Sequence, residues 1–286
     1  MSTKINKIGR YLLVAAFFTL NSSLFTACSD FLETDSKSAL QDKDIYDIAA
    51  NVDKALTGVY GALKPFSTYY FVMSEARSDN MFQTTEAKSN EYADCAQFNT
   101  TGLVSDKIVA NCWADHYTLI AAANMLIEKQ AEASDITEAT RIQYEAEARF
   151  LRALSYFDLV RFYGRVPVST KVLSADEAFQ LPQSEAIDVY NNVIIPDLEY
   201  AIENLADVAV DYNGVKHSER ATKIAAKALL GKVYVQMAGY PLKQNTLSKA
   251  KNLLKEVIDA WDWNNKWAAN ADQWNTMWLQ DQKSVV

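Results

Sequence analysis

The chain has two histidines, His116 and His217, the side chains best suited to proton transfer near neutral pH. His116 lies in a stretch with helical periodicity, which predicts a structural position, and His217 lies in a polar segment, which predicts a solvated one. The sequence contains no H-E-x-x-H motif, no phosphate-binding loop and no dinucleotide-binding glycine pattern. The histidines therefore give no indication of catalysis that depends on a metal or a nucleotide.

Glu75 and Asp79 form an acidic pair that could be considered for glycoside hydrolysis. Because they are four residues apart, they could share one face of a helix and approach each other closely. This spacing is very common, and Arg77 and Asn80 lie beside the pair, which favours local hydrogen bonding over catalysis. We therefore expect no enzyme activity, no cofactor and no metal site.

A different group of side chains suits recognition. Sugars bind through their C–H faces to flat aromatic rings, and through their hydroxyls to planar polar side chains. The irregular stretch 65–105 contains both types, and its candidate ligand-binding residues are Tyr69, Tyr70, Asn80, Tyr92 and Phe98, with Asn90 and Gln97 also present. The alternative, in which these rings pack a loop onto helices, is favoured over binding.

Composition favours helices. The chain has only 8 Gly and 5 Pro in 286 residues, too few for the many tight turns of a β-rich fold. The content of 49% hydrophobic and 22% charged residues is typical of a folded globular protein. A net charge of −8 counts against binding that works by neutralising phosphates, so we expect no nucleic-acid partner.

Residues 1–27 are predicted to be a secretory signal peptide. Basic residues precede the largely apolar run 11–20, which is shorter than the roughly 20 residues of a transmembrane helix. Phe25-Thr26-Ala27-Cys28 resembles the lipobox of bacterial lipoproteins, which would make Cys28 the lipidated first residue. Residues 28–42 would then form a polar tether and 43–286 the folded domain.

Apolar residues at helical spacing predict six helical segments. They span residues 43–64, 106–131, 136–163, 184–206, 218–238 and 246–261. In the third, Asp135 is the predicted N-cap, Gly164 the predicted end, and Arg152 is predicted to face away from the apolar stripe. That stripe consists of Ala146, Phe150, Ala153, Leu154, Phe157 and Val160. Pro196 must kink or restart the fourth segment.

Two motifs near the end of the helical region resemble the tetratricopeptide repeat. Leu230, Gly231 and Tyr234 match the L-G-x-x-Y core of its first helix, and Ala250 and Leu254 match the spacing of its second helix. The loop between them is longer than the consensus, so an unrelated helical bundle remains an alternative. Helical hairpins of this kind bury their apolar faces by stacking on their neighbours.

Cys95 and Cys112 are the remaining cysteines. An exported location would permit a disulfide between them, but two separate buried thiols are favoured.

Five blocks of sequence resemble the SusD/RagB family of outer-membrane nutrient-binding lipoproteins. They are the lipobox with residues 28–33 (CSDFLE), residues 55–60 (ALTGVY), residues 74–80 (SEARSDN), the W-x3-Y-x2-I-x2-A-N pattern from Trp113 to Asn124, and residues 146–153 (AEARFLRA) running on to Pro167. A later stretch, residues 221–241, is similar to the family's repeat helices.

The resemblance implies an all-α fold of tetratricopeptide-like helical hairpins with long irregular loops. It also implies a surface-exposed lipoprotein of the cell outer membrane that binds an oligo- or polysaccharide. The implied partner is a SusC-like TonB-dependent β-barrel transporter, on which the lipoprotein acts as a lid. Members of the family have chains that continue well beyond the position that corresponds to Val286. The helical domain is therefore expected to be incomplete at its C-terminus. The alternative is a helical-repeat scaffold that binds a protein partner and no sugar.

Overall fold

The described part of the chain is all-α. The computed structural model describes residues 46–79, 93–98, 107–207, 210–212, 215–217 and 220–260. Within those ranges, helices account for nearly all regular structure, and the strands form two small antiparallel ribbons. The predicted signal peptide, Cys28 and the tether lie outside the described residues.

The described elements are mainly helices that pack on one another. The helices are α1 Ala49–Gly61, α2 Phe66–Met73, α3 Ala93–Ala96, α4 Lys107–Lys129, α5 Glu138–Tyr163, α6 Ala175–Phe179, α7 Ala186–Val189, α8 Ile195–Asn204, α9 Lys223–Ala238 and α10 Leu247–Ala260. Short 3₁₀ turns cover Glu75–Arg77 and Gln130–Glu132, and a π-helical turn covers Tyr190–Ile194. Strand β1 (Val166–Pro167) pairs with β2 (Gln183–Ser184), and β3 (Val210–Tyr212) pairs with β4 (Val215–His217).

All six predicted helical segments are present. The fourth is divided into α7, the π-helical turn and α8, and α8 restarts with Pro196 in its first turn, as its missing N–H requires. The third ends at Gly164, whose φ of +75° takes the chain out of the helix. Because apolar periodicity and breaker residues agree in these segments, their positions could be predicted from the sequence.

The prediction that Asp135 caps the third helix is wrong. Thr137 is the N-cap of α5, and its side chain accepts a hydrogen bond from the backbone N–H of Thr140. The Asp135 carboxylate instead accepts from the backbone N–H of Ala49 at 2.6 Å, at the first turn of α1. A residue of one helix's entry loop thus satisfies an N–H at the start of another helix.

Helix α5 is the centre of the fold, and neighbours surround it. It packs against α1, α4, α8 and α9. The prediction that Arg152 faces away from the core is wrong, because this residue is buried with Glu147 and Asp158, whereas Phe150 and Leu154 of the predicted stripe are only half-buried. A single apolar stripe describes a surface helix, and a central helix buries ion-paired groups as well.

A polar cluster ties α1 to parts of the chain that follow much later. The Tyr60 hydroxyl donates to the buried Glu147 carboxylate at 2.8 Å and accepts from the backbone N–H of Ala221 at 2.8 Å, across 161 residues of sequence. Arg220 donates to the Asp53 carboxylate at 2.7 Å. These contacts join α1, α5 and the entry to α9.

The last described hairpin confirms the tetratricopeptide-like packing. Leu230, Gly231 and Tyr234 of α9 are buried. A Cβ placed on Gly231 would lie 2.6 Å from Cδ2 and 2.7 Å from Cγ of Leu254 in α10. Only a residue without a side chain allows this approach, which explains the glycine at this position of the motif.

We expect Gly231→Ala to destabilise the protein. The new methyl group would displace the branch point of Leu254, at a cost of about 1–3 kcal/mol that exceeds the gain in helix propensity. Gly58→Ala is the matched control, because Gly58 is exposed in α1 and a Cβ at this position would have no atom within 4 Å. That change should stabilise the protein by about 0.5–1 kcal/mol. Urea unfolding of both variants tests this, and equal effects would contradict the packing.

The two thiols of the helical region are buried and are not joined by a disulfide bond, as favoured from the sequence. Burial raises the pKa of Cys112 to about 11, so its thiol stays protonated at neutral pH. Among the described residues, no helix combines the length and the apolar character needed to cross a membrane.

Candidate ligand-binding site

A cleft with aromatic and charged walls lies between α2, the Glu75–Arg77 turn, α5 and α9. Its volume is about 450 Å³. Tyr70 and Phe71 of α2 contribute rings, and Phe71 is 50% exposed. Glu75 and Lys232 add one charge of each sign from different elements of the wall. The cleft therefore combines apolar platforms with groups that can donate and accept hydrogen bonds.

The floor of the cleft is an ordered polar triplet. The Tyr70 hydroxyl donates to the buried Asp158 carboxylate at 2.5 Å, and Arg161 pairs with the other oxygen of the same carboxylate. Burial, followed by the charge of Asp158, raises the pKa of Tyr70 well above its usual range, so the phenol remains a donor. The Arg161 guanidinium lies 4.5 Å from the centre of the Phe157 ring. These contacts fix the floor before any ligand arrives.

His116 lies in the core near this floor. Its ring is 4.0 Å from that of Phe66, and its Nδ1 is 3.3 Å from the Ser155 hydroxyl. Burial lowers the pKa of His116 to about 4, against the opposing effect of the Asp158 and Asp115 charges. The imidazole is therefore neutral at physiological pH, and its complete burial confirms the structural position predicted for it.

A second surface feature lies beyond the Glu75–Arg77 turn. The Arg77 guanidinium is 4.5 Å from the ring centre of Phe98, which is 57% exposed. Phe98 has a φ of +54°, a left-handed conformation that costs a bulky side chain of order 1–3 kcal/mol. The exposed ring and the cation beside it form a surface that a ligand could contact.

The predicted ligand-binding residues occupy different environments. Tyr70 lines the cleft and Phe98 lies on the exposed edge. Tyr69 is only 4% exposed, and its hydroxyl donates to Asp115 inside the protein, so its ring offers no surface to a ligand. Asn80 and Tyr92 lie outside the described residues.

The sequence did not identify Asp158, Arg161 and Lys232 as part of the site. The available signal was the pair Asp158 and Arg161, three residues apart within the largely apolar last turns of α5. Charged residues among apolar ones indicate that polar groups are buried or line a cleft. Tyr70 is 88 residues away from Asp158, so this contact cannot be inferred from spacing.

Glu75 and Asp79 do not share a helix face. The 3₁₀ turn ends at Arg77, and Ser78 is extended, so Asp79 lies beyond the helical turn that contains Glu75. The Ser78 hydroxyl and backbone N–H both donate to the Glu75 carbonyl oxygen. These contacts are the local hydrogen bonding that the sequence favoured for this segment. The shared helix face that was considered for Glu75 and Asp79 is not formed.

A larger cavity of about 590 Å³ lies between α4, α6 and the connector that contains β1. The side chains of Tyr117 and Asn124 in its lining form hydrogen bonds with the backbone of that connector. Tyr117 donates to the Pro167 carbonyl at 2.7 Å, and Asn124 donates to the carbonyls of Ser169 and Lys171 at 3.2 and 3.0 Å. This cavity is therefore mainly apolar and less suited to a hydroxyl-rich ligand than the smaller cleft.

Comparison with known proteins identifies the family. A family model described as starch-binding associating with outer membrane, the SusD-like model, matches residues 30–235. The chain belongs to the SusD-like family. This SusD-like chain is 26% identical over 253 residues to a SusD-like protein of Formosa agariphila, covering 84% of the chain and 47% of that protein. It is 29% identical over 223 residues to one of Bacteroides ovatus, covering 76% and 38%.

Solved structures share the fold of this SusD-like chain. A SusD homolog from Bacteroides thetaiotaomicron matches with a TM-score of 0.65 and 25% identity, covering 78% of the chain and 43% of that structure. A laminarin-binding SusD-like protein matches with a TM-score of 0.61 and 26% identity, covering 74% and 44%. The chain spans about half the length of the curated relatives it matches.

Proposed function

We propose that this SusD-like chain captures an oligo- or polysaccharide as part of a nutrient-binding outer-membrane lipoprotein. The observation that carries the proposal is the family match over residues 30–235, a range that includes the residues lining the cleft. The laminarin-binding neighbour provides an example of a related protein with a glycan ligand. The chain acts in this proposal as a binding protein and not as an enzyme.

The chemistry of the cleft supports a sugar. Phe71 offers a partly exposed ring for the C–H face of a pyranose, and Glu75 and Lys232 can accept from and donate to its hydroxyls. The Tyr70–Asp158–Arg161 floor holds the ring of Tyr70 in place. The edge at Arg77 and Phe98 would extend the surface for a longer chain of sugars.

The remaining parts of the proposal concern location and partner. Cys28 would carry the lipid anchor in the outer membrane, and the protein would lie at the cell surface as the lid of a SusC-like TonB-dependent transporter. The lipobox-like residues 25–28 and the family resemblance support this arrangement. A pull-down from native outer membranes that recovers a large β-barrel transporter would support the partner.

We expect Phe71→Ala to weaken glycan binding by about tenfold, since loss of one stacking ring is worth roughly 1–1.5 kcal/mol. Calorimetric titration with a panel that includes laminarin and starch oligosaccharides measures the change. Phe179→Ala is the matched control, because Phe179 is an aromatic residue that is 89% exposed and lines the other cavity.

Equal losses in Phe71→Ala and Phe179→Ala would contradict the assignment to the cleft. If the chain binds no glycan of the panel but retains a protein partner in the pull-down, the scaffold alternative is correct.

A further inference from the structure

The connection between α9 and α10, residues 239–246, is longer than a tetratricopeptide hairpin needs. Its backbone is tied to the end of α9, where the N–H of Gln244 donates to the Met237 carbonyl at 2.8 Å. The side chain of Leu242 packs against the main hydrophobic core. The extra residues therefore form a loop that is fixed to the body of the protein.

This loop presents an aromatic ring to solvent. Tyr240 is 80% exposed, and the Lys243 amine lies 5.5 Å from the centre of its ring. The backbone N–H of Lys243 donates to the Gly239 carbonyl at 2.8 Å, so the cation beside the ring belongs to the same closed turn. A tyrosine that is positioned in this way offers a flat stacking surface at a low entropic cost.

Tyr240 follows directly from one wall of the cleft. Leu229 and Lys232 of α9 line the cleft. An α-helix turns about 100° and rises about 1.5 Å per residue. Gln236 therefore lies about 40° around the helix from Lys232, one turn farther along it. Gly239, at the end of the helix, lies within about 20° of Lys232 and about 10 Å farther along the axis.

This side of α9 is not used to pack the helix. Val235 and Gln236 are exposed. Val233 and Met237, in the same turns, are buried in the main hydrophobic core. Helix α10 approaches α9 at Gly231, about 100° away from Lys232 around the helix. A solvent-facing track thus leads from the cleft to the loop that carries Tyr240.

We propose that a glycan bound in the cleft continues along this track and stacks on Tyr240. The ligand would then be an extended oligo- or polysaccharide that is longer than the cleft. The Gln236 amide between the two ends can donate to hydroxyls and accept from them. This inference rests on the proposed glycan function and adds a second stacking ring, besides Phe71, and a preference for long chains. Two linked contacts favour a ligand that reaches both.

Calorimetric titration with oligosaccharides of increasing length from the laminarin and starch series tests the proposal. Tyr240→Ala should weaken binding of the longest chains about fivefold and leave the affinity for di- and trisaccharides unchanged. Phe71→Ala, in the cleft, should weaken binding at every length. Tyr240→Phe keeps the ring and should bind as the unmodified protein does. Phe179→Ala is the matched control, because it removes an exposed ring that lines the other cavity.

Urea unfolding establishes that Tyr240→Ala retains the stability of the unmodified protein, as expected for an exposed side chain. Binding of long chains that does not depend on Tyr240 would overturn the extension alone, and so would an equal loss for short and long chains. Absence of binding at every length in the unmodified protein would overturn the proposed function and this extension together.

Discussion

Asp197→Ala is expected to destabilise the protein by about 3–5 kcal/mol, because it would leave the Arg152 guanidinium buried without its counter-ion. Arg152 donates to both oxygens of Asp197 at 2.8 Å, and both side chains are almost completely buried. Arg149 adds a third contact to the same carboxylate at 3.3 Å. Two parallel hydrogen bonds between charged groups are the strongest form of such pairing. Urea unfolding measures the loss.

The effect should be specific to this buried pair. Glu185→Ala is the matched control, because the Arg165–Glu185 pair has a separation of 3.5 Å and both side chains are more than 60% exposed. Its loss should cost about 0–1 kcal/mol. Replacing both buried partners, as in Arg152→Met with Asp197→Leu, should recover much of the stability. Similar losses in Asp197→Ala and Glu185→Ala would contradict the role of the buried pair.

The second large effect is a loss of stability in mild acid that depends on His116. Burial lowers the pKa of this imidazole to about 4 in the folded protein, against about 6.5 in an unfolded chain. As the pH falls below about 6.5, the unfolded state takes up a proton that the folded state does not, so stability declines. Over the interval down to pH 4, the proton uptake of this one group removes about 3 kcal/mol of stability.

His116→Gln separates this effect from the acid sensitivity of the carboxylates. The variant keeps a polar side chain for the contact with Ser155 but takes up no proton. We expect it to lose less stability than the unmodified protein between neutral pH and about pH 5, as measured by urea unfolding at each pH. Parallel pH profiles for the two proteins would show that the imidazole is not the group responsible.

Local signals in the sequence were sufficient to predict where the main helices lie. The apolar spacing along α5 and the glycine at position 164 predict the helix and its end, whereas its N-cap was predicted two residues too early. The position of Arg152 could not be predicted in the same way, because its partner Asp197 is 45 residues away. A charged arginine without a counter-ion is more stable in solvent than in a protein interior. Only the tertiary structure brings the carboxylate that permits its burial.

The candidate site was only partly predictable for the same reason. Aromatic and amide side chains in the irregular stretch indicated a recognition surface, and Tyr70 and Phe98 lie where a ligand could contact them. Tyr69 is adjacent to Tyr70 in sequence but turns into the core toward Asp115. Neighbouring residues of a helix point in directions about 100° apart, so the orientation of α2 against α4 and α5 decides which ring is exposed.

The contacts of Tyr60 with Glu147 and Ala221 determine when α1 can acquire its final environment. During synthesis, α1 leaves the ribosome long before Ala221 does, since 161 residues separate the two groups. Helix α1 can pack on α4 and α5 once these are made, but its hydrogen bonds with Arg220 and Ala221 form only after the entry to α9 has been synthesised. A chain in which α1 depends on contacts with Arg220 and Ala221 reaches its full stability only after most of it has been synthesised.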